Sequence, residues 1–263
     1  QGPRTGLDPA DRGILLHDTL ARVWSRIETR ANLEALDQET LEKLVEAAAA
    51  HAVGRLKKHR PITLEGRFPA LEKARLKRLI LEWLKVELTR GEFQVAAIEE
   101  KRTLALGGLT IHAKLDRMDR LADGRRLVID YKTGKVSVSH WLGPRPDEPQ
   151  LPLYCVTAEG EMAAVAFAGV KLGGMRYHGL ARDGDILPGV KGFVDSKEAA
   201  PYGAWNGLLA AWREELERLG REFAAGHAAV QPKRYPQTCM YCDFKPLCRI
   251  NERLNLGPFE AEE

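Results

Sequence analysis

The stretch RRLVIDYKTGKVS, Arg125 to Ser137, ends an apolar run with an acid and a base two residues apart, Asp130 and Lys132. On a strand such residues share a face, about 6 to 7 Å apart, so both can address one ligand. Taken alone, the pair is equally an ion pair at a strand end, with Thr133-Gly134 as the turn. A ligand that suits both is a metal-bound phosphate, because a carboxylate holds a hard cation while an ammonium neutralises phosphate or activates water. Three other places could join that chemistry. Asp116, in AKLDRMDR, falls on the preceding segment within hairpin reach of Asp130. Gln150 and Tyr154, in QLPLY, stand at i and i+4 and share one helix face. His17 lies far upstream beside Leu15 and Leu16. Each has an ordinary structural role open to it. Two clustered carboxylates without a cation raise each other's pKa, so the group as a whole invites a divalent ion.

The elements that must position these residues are legible from periodicity. Asp8 to Glu28 carries apolar residues at helical spacing (Ile14, Leu15, Leu20, Val23, Trp24, Ile27) after an Asp-Pro opening, which predicts a helix. Two more helices are expected over about Asp37 to Lys58 and Ala70 to Thr89. From Phe93 the period shortens: FQVAAIEEKRTLAL, LTIHAKLDRMDRLA and RRLVIDYKT read as three consecutive antiparallel strands, broken at Gly107-Gly108 and Asp123-Gly124. A Pro-rich loop, the short helix of QLPLYCVTAE, the strands MAAVAFAGV and GMRYHGLA, and a long amphipathic helix from Ala204 to Ala225 follow.

Hairpin register decides whether Asp116 can meet Asp130. A two-residue turn at Asp123-Gly124 sets Asp116 opposite Tyr131, on the wrong face. A shared site requires an odd loop, expected over Asp123 to Arg125, which sets Asp116 opposite Lys132.

The chain has 263 residues, 44% hydrophobic and 29% charged, with a net charge of only +3. This suits an ordinary globular protein with a substantial core and leaves any nucleic-acid surface to local patches. The basic segment from Arg55 to Arg90, above all Lys73 to Lys85, is the candidate wall of a groove. No apolar run is long enough to span a bilayer and no signal segment opens the chain, so a cytoplasmic location is expected. The opening QGPRTG lacks an initiator Met, so the chain is expected to be part of a longer protein.

Together GILLH (Gly13, His17), AKLDRMD (Asp116, Asp119), DYKTG (Asp130, Lys132) and QLPLY (Gln150, Tyr154) resemble, in order and spacing, the RecB-like nuclease domains of the PD-(D/E)xK superfamily, including AddB-type and Cas4-type exonucleases. Ala113 stands where the second motif usually has Gly. The resemblance spans His17 to Cys248 and implies a restriction-endonuclease-like α/β core, a central mixed sheet flanked by helices, with an N-terminal helical part. One domain in three parts is expected: helices with the ligand His over 1–92, the catalytic sheet over 93–200, and a helix with a Cys-containing tail over 201–263. It implies that His17, Asp116, Asp130 and the Tyr131 carbonyl ligate Mg²⁺ or Mn²⁺, that Asp116, Asp130 and Lys132 are catalytic, and that Gln150 and Tyr154 position the DNA strand and Lys132. Glu99 or Glu100 supports the site. The implied activity is a metal-dependent DNA exonuclease acting at ends, with a single-stranded end as substrate and a helicase as partner or fused domain. A catalytically silent DNA-end-binding module of a helicase-nuclease complex is the alternative, and a zinc-binding interaction domain a third reading.

Cys239, Cys242 and Cys248 have the spacing C-x2-C-x5-C. In an intracellular chain such spacing reads as a metal site before a disulfide. It is similar to the C-terminal part of the family's iron-sulfur staple, whose fourth cysteine precedes the His-bearing helix. No cysteine precedes Cys155 here, and Cys155 itself is expected in the core. A cluster completed in the full-length protein, zinc with another partner, and plain reduced thiols all stay open.

Overall fold

The computed structural model describes residues 6–253. Four helices come first, α1 (Pro9–Ile27), α2 (Arg30–Ala35), α3 (Gln38–Lys57) and α4 (Phe68–Leu88). The strands β1 (Phe93–Leu106), β2 (Leu109–Leu121) and β3 (Arg126–Lys132) follow, then α5 (Gln150–Thr157), β4 (Met162–Gly169), β5 (Arg176–Ala181), α6 (Trp205–Ala224) and two one-turn helices, α7 (Lys245–Cys248) and α8 (Ile250–Arg253). Helix α1 begins where its signals lie: the Asp8 side chain accepts the Asp11 N–H at 2.8 Å, and Pro9 sits in the first turn.

The five strands form one sheet in the order β1-β2-β3-β4-β5, antiparallel except for the parallel β3–β4 pair. A parallel pair needs a crossover, and the connection that carries α5 supplies it. Side chains alternate along β3. Leu127, Ile129 and Tyr131 enter a core with Leu20, Trp24 and Trp83 of α1 and α4, whereas Val128 enters a second core with Phe167, Tyr154 and Trp212. Helices therefore cover both faces, and β4 is buried at every position, as a strand covered twice must be. Asp130 and Lys132 share the Val128 face and lie at its end.

The hairpin loop is odd, as a shared site demands, but it begins one residue earlier than expected. Leu121 N–H donates to Arg125 O at 2.8 Å, and Gly124 takes φ +86. This is the three-residue loop that ends in a left-handed glycine. Arg117 pairs with Ile129 and Met118 with Val128, so the register continues to Asp116 opposite Asp130 rather than Lys132. The two acids share a face more directly than the sequence reading had it.

The basic stretch of α4 is largely matched by acids. Arg75 lies 2.7 Å from Glu72, Lys77 3.1 Å from Glu42 and 3.0 Å from Glu46, and Arg78 3.6 Å from Glu82. Such local pairing weakens it as a groove wall. Ile14, which the periodicity sends inward, is 49% exposed, because it stands one turn before His17 on the same helix face.

Candidate active site

Helix α1 docks through Leu16, Leu20 and Trp24, which leaves His17 at the end of the sheet. Its Nε2 stands 3.0 Å from the Tyr131 carbonyl oxygen. Its Nδ1 lies 3.2 Å from Asp116 Oδ1 and 3.7 Å from Glu99 Oε1. Asp116 turns its other oxygen back to accept the Tyr131 N–H at 3.0 Å. The ligand atoms of His17, Glu99 and Asp116 all lie within 4.8 Å of one another, the only such group of three or more among the described residues.

Glu99 reaches this cluster through an irregularity in β1. It has φ +49, a left-handed conformation that costs a non-glycine residue about 1 kcal/mol or more. Around it the alternation slips: Ala97 and Leu104 belong to the α5–α6 face, but Ile98 belongs to the other. On β2 the same slip separates Leu115 from Met118, both on the α5–α6 face. The disturbance aims Glu99 and Asp116 at His17, and Lys114 forms an ion pair with Glu99. Glu100 turns away onto Arg102 at 3.1 Å, so Glu99 is the supporting acid of the two.

Asp130 is 3% exposed and stands apart from the trio, with its Oδ2 2.8 Å from Lys132 Nζ, an ion pair off hydrogen-bond angles. Burial pushes the Asp130 carboxyl up to about 6, and the charge of Asp116 adds to that against the pull of Lys132. Burial acts on His17 in the opposite sense, to lower it. Its hydrogen bonds to Asp116 and Glu99 outweigh this and carry the imidazole up to about 10. A pocket that holds a proton so firmly on an imidazole has an excess of negative charge, and a metal cation can compete for the same place.

The donor set fits a hard divalent ion. The carboxylates of Asp116 and Glu99 offer oxygen beside the His17 ring, and the imidazole suits Mn²⁺ better than Mg²⁺. Asp116 and Glu99 face the ring's Nδ1 at 3.2 and 3.7 Å, whereas the Tyr131 carbonyl faces the other nitrogen, Nε2, at 3.0 Å.

Behind the site, on the other face of the sheet, lies a second group of charges, of which the sequence motifs include only Asp119. Arg117 donates to Asp119 at 2.6 Å, to Glu87 at 2.7 Å and to the Tyr131 hydroxyl at 3.0 Å. Arg90 donates to Glu87 at 2.6 Å and Asp119 at 2.7 Å, and Trp83 Nε1 to Glu87 at 3.0 Å. All four charged side chains are at most 1% exposed. Tyr131 belongs to both groups: its backbone N–H and carbonyl meet Asp116 and His17, its ring end meets Arg117.

In front, Asp130, Lys132, Glu148 and Gln150 line a cleft of about 390 Å³. Gln150 Nε2 donates to the Lys114 carbonyl at 3.1 Å, which ties α5 to β2 beside the acids. Tyr154 departs from expectation. It is 1% exposed, packed in the α5–α6 core with its hydroxyl near Gln150, and does not line the cleft. Cys155 is buried in the same core, as expected, and burial raises its thiol pKa. Cys239, Cys242 and Cys248 are free thiols on the half-exposed tail, and their sulfurs do not gather as a trio within 4.8 Å.

A mixed sheet with acids from adjacent strands, a lysine two residues beyond one of them and a histidine delivered by a covering helix is an arrangement suited to a divalent ion beside a phosphate. The family model of the PD-(D/E)XK nuclease superfamily matches residues 2–249, so the chain belongs to that superfamily, with its restriction-endonuclease-like domain. Among curated proteins none matches significantly. Among the described residues no helix is long and apolar enough to cross a membrane.

Proposed function

We propose that the chain is a divalent-metal-dependent deoxyribonuclease, an exonuclease that hydrolyses phosphodiester bonds at DNA ends during recombination or repair, beside a helicase partner or domain. The observation that carries this reading is the meeting of His17, Glu99 and Asp116 next to the Asp130–Lys132 pair, at the mouth of a cleft. His17, Asp116, Asp130 and the Tyr131 carbonyl, with Glu99, would hold Mg²⁺ or Mn²⁺. Bound there, the ion supplies Lewis-acid polarisation of the scissile phosphate and an acidified water.

The chain's own groups do the rest. Lys132 presents its ammonium to the nucleophile and to the negative charge that develops on the phosphoryl oxygens. Asp130 holds that ammonium in place. Asp116, braced by the Tyr131 N–H, keeps its remaining oxygen toward His17. Gln150 fixes the near wall, so a strand in the cleft is aligned before reaction.

Degradation of end-labelled single-stranded DNA with Mn²⁺ or Mg²⁺, abolished by chelator and by Asp116→Asn, is the expected outcome. DNA binding without metal-dependent cleavage would instead establish a silent end-binding module. Circular single-stranded DNA resists an exonuclease, so its degradation would sink the end-dependent part.

A further inference from the structure

A second cleft, of about 620 Å³, continues from the first and shares Lys132, Gly134 and Lys135 with it. Its charged lining is entirely basic: Lys132, Lys135, Lys171 and Arg176, with His178, and no acid. Elsewhere on the surface, bases such as Lys77 and Arg125 are matched by carboxylates. Here, among the described residues, Lys135 and Lys171 have no ion-pair partner, and Arg176 donates its Nε only to His178, at 2.8 Å.

The fold arranges this convergence. Lys132 pairs with Gly169 across the parallel strands, and Gly169 pairs with Arg176 across the antiparallel ones. Residues opposed in a sheet share a face, so Lys132 and Arg176 flank a position with no side chain, on the face that also carries Asp130. Gly169 thus leaves the floor open: a Cβ there would meet the Arg176 carbonyl at 3.2 Å and the His178 ring. The β4–β5 connection closes by a tight turn, Gly174 N–H to Lys171 O at 2.9 Å with Gly173 at φ +75, which keeps Lys171 at the rim.

Unneutralised cations at the open end of two parallel strands, beside a phosphodiester-cleaving centre, fit one ligand: the polyanionic backbone that leads to that centre. We propose that this cleft seats the phosphates next to the scissile one, with Lys135, Lys171 and Arg176 as strand-positioning residues. The proposal rests on the nuclease reading above.

The test compares the parent with Lys135→Ala/Lys171→Ala/Arg176→Ala, both carrying Asp130→Asn for binding to a labelled single-stranded oligonucleotide across a salt series. The slope of log affinity against log salt should fall by about 2, since each phosphate contact on a single strand contributes about 0.7. With Asp130 restored and Mn²⁺ present, KM should rise by a larger factor than kcat falls. A folded triple variant with the parent's slope and KM overturns the cleft and leaves the nuclease reading standing. A parent that neither binds nor cleaves DNA overturns both. If the triple variant melts early, Lys171→Glu on the exposed turn decides, and an unchanged slope there also overturns the proposal.

Discussion

Two groups of charge lie back to back across β3, and they are built on opposite rules. Behind the sheet, Glu87 and Asp119 meet Arg90 and Arg117, two acids and two bases joined by hydrogen bonds and sealed from water, with only Arg90 Nε left without a partner. In front, Glu99, Asp116 and Asp130 crowd together against Lys114, Lys132 and an imidazole that the acids hold protonated. The rear charges are balanced by the protein alone, so the group acts as a bracket. The front group keeps donors in reserve for something that is not protein. Charge density does not mark a site; a balance that depends on an exchangeable proton, here the one on His17, does.

The sharpest way to break this contrast is Arg117→Met. It leaves two buried carboxylates sharing one base, Arg90, and should cost about 3 to 5 kcal/mol of stability, read from urea unfolding. Asp116→Asn removes charge from the crowded front instead and should change the same stability by less than about 1 kcal/mol, because the amide oxygen can still accept the Tyr131 N–H. Equal losses would erase the distinction between bracket and site.

Lys132→Ala should leave the metal donors in place yet slow single-turnover cleavage by about 10²-fold, roughly 3 kcal/mol of barrier. Full activity would return the Asp130–Lys132 pair to an ordinary ion pair. Mn²⁺ at a hundred times its dissociation constant should stabilise the parent by about 2.7 kcal/mol in a thermal melt. That gain should be largely lost in Asp116→Asn and kept in any rear-group variant that still folds.

The smallest effect tests the strain at the front. Glu99→Gly places the one residue at ease with φ +49 in the irregular strand, and should raise stability by up to about 1 kcal/mol while weakening Mn²⁺ binding. A loss of stability would mean that the Lys114 pair, not the backbone, dominates there.

The front was far more legible in the sequence than the rear. Asp130 and Lys132 close a strand whose alternation is plain, and Asp116 follows once the loop must be odd. Glu99 could not be told from Glu100, because nothing in IEEKR marks a glutamate with a left-handed backbone. The hairpin ran one residue off because Asp123-Gly124 suits loops of more than one length, and only the φ of Gly124 separates them. Arg90, Arg117 and Glu87 were invisible as a group, since isolated charges read as solvated until partners from distant elements enclose them. Tyr154 shares a helix face with Gln150, but α6 covers its end of that face, and covering is a tertiary fact.

The contact from His17 to the Tyr131 carbonyl joins residues 114 apart in sequence, and this has a consequence for the order of assembly. Strands β1 to β3 are consecutive and can pair early, since their contacts are local and closing them costs little chain entropy. That hairpin sheet already carries Glu99, Asp116, Asp130 and Lys132. It lacks the imidazole until α1 returns across the whole helical segment to dock. Docking of α1 across 114 residues of chain thus completes the donor set, and a chain in which only the hairpin sheet has formed holds the acids without the imidazole.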